Sequence, residues 1–86
     1  MNQTNEVALP SINLCGTARE VLIADLCAAA DALDVALERL ERTLPHRRDY
    51  LLGPEIAYVR ALDQYKDRVK AVVRVRDELR TIAGAL

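Results

Sequence analysis

Two long stretches of helical hydrophobic periodicity flank a single punctuated segment, Leu44-Pro45-His46-Arg47-Arg48-Asp49-Tyr50-Leu51-Leu52-Gly53-Pro54, and this layout constrains the chain most. Two helices joined by a turn can each cover one apolar stripe of the other. Any further apolar surface needs another partner. The sequence therefore predicts an all-α antiparallel helical hairpin that is half of something larger. Either it dimerises into a four-helix bundle or it docks on a different protein.

The first stripe reads Leu22, Leu26, Ala29, Ala30, Leu33, Ala36, Leu37, Leu40 and Leu44, which is wider than a simple coiled-coil seam. Thr17 and Glu20 stand at capping-box spacing, so a helix is expected over about 18–43, ended by Pro45. A second flank carries Val21, Ala28 and Val35 seven residues apart, with Ile23 and Ala32 nearby. Asp31, Asp34, Glu38 and Glu41 mark the wet side. One neighbouring helix cannot cover both apolar stripes.

After a turn over 44–53, Pro54 is placed at the first position of a second helix over about 54–83, with Gly84 as its C-terminal cap. Its stripe is a heptad: Tyr58, Leu62, Tyr65, Val69, Val72, Arg76, Leu79, Ala83 and Leu86. Residues Tyr58 to Leu79 of this series are the candidate oligomer interface. Arg76 interrupts it, and Asp77 or Glu78 of another chain is a candidate partner for its charge. Residues 1–16 read as a flexible arm in which Val7, Leu9, Ile12 and Leu14 surround Pro10.

The chain has 86 residues, and domains this small bury only about 60% of their unfolded surface. A single core of that size seldom supplies more than roughly 3–5 kcal/mol without oligomerisation, metal or disulfides. Apolar residues make up 51%, which excludes disorder by composition. Three Tyr with no Phe or Trp leave mainly Ala, Leu and Val, a set suited to close helix packing. The net charge of −1 is uneven: residues 1–45 hold seven acids against three Arg, and residues 46–86 hold nine bases against six acids. Folded antiparallel, the two halves attract along their rims.

Cys15 and Cys27 have no metal-ligand spacing and the chain has one His, so neither metal nor cofactor is expected. The absence of a charged-then-apolar leader, and of an apolar run near the roughly twenty residues that span a bilayer, points to a cytoplasmic protein with free thiols. No Gly-rich phosphate loop, nucleophile–base pair or helical Glu-x-x-His occurs, so the chain is read as a non-enzyme. A chorismate-mutase-like dimer, built from three helices with polar residues lining a pocket, is a poor match to two helices.

The candidate partner-binding residues are His46, Arg47, Arg48, Tyr50 and Leu51 at the turn, with Arg for bidentate contacts and Tyr50 and Leu51 as anchors. The competing reading folds Leu51 and Leu52 back over the bundle and pairs Asp49 with an Arg. On the second helix Arg60, Lys66, Arg68, Lys70, Arg74 and Arg80 alternate with Asp63, Asp67, Asp77 and Glu78, the pattern of a solvated face.

The run Pro45-His46-Arg47-Arg48-Asp49-Tyr50 followed by Gly53 resembles a motif in short uncharacterised two-helix proteins of proteobacterial phages and prophages. The resemblance spans about residues 33–83 and implies a mobile-element accessory protein, without an activity or site residues. The expected function is a non-enzymatic protein–protein interaction module that forms a homodimer and binds and modulates a partner protein. The alternatives are a purely structural self-assembling bundle, or a weak nucleic-acid binder through helix two whose binding falls steeply with salt.

Overall fold

A computed structural model describes residues 6–13 and 15–86. Residues 1–5 and Leu14 of the N-terminal arm lie outside the described residues. The described residues form two α-helices, α1 (Arg19–Glu41) and α2 (Glu55–Ala85), with a 3₁₀ turn at Arg47–Tyr50 between them and no strand. The two helices pack side by side in opposite directions as a hairpin.

The helix ends differ from the expectation in instructive ways. Ala18 is the N-cap of α1, with extended backbone (φ −60°, ψ 141°) and no capping side chain. Thr17 therefore falls one residue short of the cap, and Glu20 sits one position too early to close a capping box. At the other end, bonds from the N–H groups of Arg42, Thr43 and Leu44 to the carbonyls three residues back tighten the last turn. The Thr43 hydroxyl also donates to the Leu40 carbonyl at 2.7 Å. The chain then enters Pro45 already unwinding.

Pro54 is the N-cap of α2 rather than its first helical residue; its ψ of 149° is extended, and its carbonyl accepts from Ala57 N–H at 3.0 Å. Gly84 lies inside the helix without a positive φ, so no left-handed glycine cap ends α2. Here Leu86 N–H bonds Ala83 O directly.

The helices are also unequal. At 23 and 31 residues they span about 35 and 46 Å at 1.5 Å per residue. Arg76 and Arg80 meet Asp34, and Arg19 Nε donates to the Leu86 carbonyl, so α1 lies beside the C-terminal part of α2. The first turns of α2 extend past α1. There the connection takes the place of a helix: Leu44, Pro45 and His46 line one cleft with Ala61, Gln64 and Arg68.

Burial is shallow throughout. Leu22, Leu26, Leu33, Leu37 and Leu40 are half-buried against α2, while Ala29 and Leu44 of the anticipated stripe are exposed. Ala30 alone among the described residues is completely buried, at a position where a small side chain lets the helix axes approach. The molecule measures 62 × 33 × 16 Å with a radius of gyration of 18.3 Å, against about 12 Å for a compact chain of this length. In the arm, Asn13 closes an Asx turn by accepting from Cys15 N–H at 2.9 Å. Val7 is half-buried beside Arg74, Asp77, Glu78 and Thr81 of α2, whereas Leu9 and Ile12 stay exposed.

Candidate interaction surface

The tip is built outward from α2. The Tyr58 ring stands 5.9 Å from that of Tyr50, tilted by 51°. The Arg47 guanidinium lies over the same ring, 4.6 Å from its centroid, and donates to the Glu55 carboxylate at 2.6 Å. The 3₁₀ turn brings these groups together because it places Arg47 and Tyr50, three residues apart, on one side. The hydrogen bond from Arg47 to Glu55 favours the charged guanidinium and raises its pKa. Both side chains of that pair remain largely in water, so it contributes mainly orientation.

This arrangement divides the sequence candidates. Arg47 and Tyr50 hold the tip to α2, with Tyr50 half-buried. His46, Arg48 and Leu51 face solvent, His46 on the rim of the cleft also lined by Arg42, Asp49 and Arg68. The competing expectation, that the leucines fold back, is overturned: Leu51 is 69% exposed and Leu52 105%. No side chain shields them because the 3₁₀ turn is held from its other side by the Tyr58 stack. Arg47 takes Glu55 as its ion-pair partner where Asp49 was the sequence candidate.

Periodicity missed Ile56 and Val59, both exposed in the first turns of α2. They were hidden inside an apolar pattern that fits the seam equally well. Leu51 and Leu52 on the connection and Ile56 and Val59 at the start of α2 are the exposed large apolar residues of this part of the chain.

The seam residues Tyr58, Leu62, Tyr65, Val69, Val72, Arg76 and Leu79 share the half-buried side of α2 turned toward α1 and the connection. Arg76 finds its counter-charges within the chain, Asp34 at 2.9 Å and Asp77 at 3.0 Å, rather than needing an acid from another chain. Arg80 pairs with Asp34 and approaches Asp31 at 3.5 Å. The hydrogen bonds from Arg80 and then Arg76 hold the Asp34 carboxyl below its ordinary pKa, and raise those of both arginines. On the far side of α1, Val21 is 52% exposed and Val35 55%, with Ala28 and Ala32 open between them. The second flank seen in the sequence is thus uncovered.

Cys15 and Cys27 are both free and exposed. Among the described residues no group of three or more His, Cys, Asp or Glu is placed to hold a metal ion, and no helix is long and apolar enough to cross a membrane. Compared with known proteins, the chain matches no family model, no curated protein and no solved structure.

Proposed function

We propose that the chain is a non-enzymatic protein–protein interaction module, a homodimeric cytoplasmic accessory protein of phage or mobile-element origin that binds and modulates a partner protein through its tip. The observation carrying this reading is the exposed pair Leu51 and Leu52 on a turn held in place by the Arg47–Tyr58–Tyr50 stack. Apolar anchors presented on a preorganised support lose little freedom on binding. Leu51, Leu52 and Ile56 are the anchors, Arg48 and His46 the polar border, and Arg47 and Tyr50 the support.

The test is capture from a proteobacterial lysate, nuclease-treated, by the tagged chain and by its Leu51→Ser/Leu52→Ser variant. The reading predicts one stoichiometric protein retained by the parent and lost by the variant, with affinity falling more than about 30-fold for two hot-spot leucines. Since both side chains stand in water, the variant should keep the parent Tm. Equal retention by both proteins removes the tip as the binding site. Recovery of the chain alone replaces this reading with a self-assembling structural bundle.

A further inference from the structure

We propose that the cleft between the connection and α2 binds a compact phosphoryl group, a phosphate ion or a phosphate monoester, held by the guanidinium groups of Arg42 and Arg68. This goes beyond the tip reading and stands whichever protein Leu51 and Leu52 engage.

The cleft has a volume of about 310 Å³, at the lower end of ligand-sized sites. Its charged lining comes from three segments: Arg42 just after α1, His46 and Asp49 on the connection, and Arg68 on α2, with Gln64 one turn before Arg68. Two arginines against one aspartate give it a formal charge of +1 with His46 neutral.

The body of the hairpin shows what two converging arginines do when the chain supplies an acid. Arg76 and Arg80 both donate to the Asp34 carboxylate. Arg47 and Arg74 likewise have Glu55 and Glu78. Arg42 and Arg68 have no such acid. Among the described residues neither guanidinium enters an ion pair or a side-chain hydrogen bond, and Asp49 pairs with neither although it lines the same cleft. Arg39, Arg48 and Arg60 also lack an acid, but they stand outside this cleft. What singles out Arg42 and Arg68 is that they share one.

A helix C-terminus ordinarily disfavours an anion through its unpaired carbonyls. Here the carbonyls of Arg39, Leu40 and Glu41 already accept from the N–H groups of Arg42, Thr43 and Leu44, at 3.1, 2.8 and 3.2 Å. The end of α1 therefore opposes an anion less than an untightened helix would. A phosphoryl group carries close to two charges and three acceptor oxygens pointing apart, so donors arriving from separate segments can share it. Asp49 narrows the choice further. An extended polyanion would bring additional charges against it, whereas a monoester can offer it an N–H or O–H.

The experiment is amide NMR titration of the full chain, at fixed ionic strength, with inorganic phosphate, the N-acetyl amide of phosphoserine, and a short single-stranded RNA. The proposal predicts saturable shifts confined to residues 42–50 and 61–68, with a Kd on the order of 1 mM or tighter. Arg42→Gln and Arg68→Gln should each weaken binding about ten-fold or more, the worth of one charge-assisted bond. Both arginines are exposed, so the variants should keep the parent helicity. Lys70→Gln, exposed on α2 outside the cleft, should change binding less than about two-fold, because water and salt screen it. The phosphoserine amide binding more tightly than phosphate, with Asp49→Ala narrowing the gap, assigns the group to a modified side chain. The reverse order assigns it to the free ion, and either order supports the site. Shifts that stay linear up to about 50 mM phosphate overturn the proposal, as does binding that both arginine variants retain. RNA binding tighter than either phosphate and falling steeply with salt also overturns it, in favour of a nucleic-acid surface.

Discussion

The body of the hairpin and its tip hold two segments side by side by different means. In the body, α1 and the C-terminal part of α2 approach closely around Ala30, and Asp34, Arg76 and Arg80 tie one edge. At the tip α1 has ended, and a thin connection must fill the same width. All three tyrosines of the chain, Tyr50, Tyr58 and Tyr65, belong to this half, and two of them stack with Arg47 between the connection and α2. Small and aliphatic side chains serve where helix meets helix; aromatic ones serve where helix meets loop. The seven-residue spacing of α2 continues through both regions, with Arg76 its one charged member, so its period alone does not reveal the change of partner.

The largest expected effect breaks the body. Val69→Asp puts a carboxylate on the half-buried side of α2 in place of an apolar side chain and should lower stability by about 3 kcal/mol. Thermal unfolding followed by circular dichroism checks this. A variant with parent helicity and Tm would show that the seam does not hold the fold.

Tyr58→Ala should break the tip and spare the body. It removes the ring that both Tyr50 and Arg47 rest on, at a cost of about 2 kcal/mol for a half-buried aromatic. Amide exchange should quicken over residues 44–58 and stay near parent rates in α1. Equal acceleration in both regions would mean that the two are one cooperative unit.

The smallest effect sharpens the contrast through pH. The ion pairs hold the Asp34 carboxyl below its ordinary value of 3.8, so the folded chain binds a proton there less readily than the unfolded chain does. The resulting stabilisation is complete above that ordinary value and is lost as pH falls through the lower folded-state value. Asp34→Asn should therefore lower Tm slightly at pH 7 and flatten the decline below pH 4, because partly exposed ion pairs are well screened. Identical acid profiles for parent and variant would remove Asp34 from the body's support.

Much of this architecture was legible in the sequence. The two periodic stripes announced the two helices, and Pro45 marked the end of the first. The uncovered flank at Val21, Ala28 and Val35 could be read directly, because seven-residue spacing puts those positions on one side of any helix. Helix caps were less legible, since a one-residue shift in the start of α1 separates Thr17 and Glu20 from the backbone groups they would bond. The tip was legible as a location only. Its composition drew notice to His46, Arg47, Arg48, Tyr50 and Leu51, but Arg47 and Arg48 look alike until the 3₁₀ turn sends one to Glu55 and the other to solvent. Ile56 and Val59 were hidden because an apolar residue early in α2 reads as core until the absence of a facing helix is known.

The most direct test of the account is residue-resolved amide exchange of the parent chain at two protein concentrations, about 10 μM and 1 mM, bracketing the affinities of ordinary homodimers. A body that pairs with a second copy and a tip left free predict that protection in α1 and over residues 69–85 rises with concentration, while residues 47–56 exchange at one rate throughout. Protection independent of concentration in both regions, or rising equally in both, would contradict it.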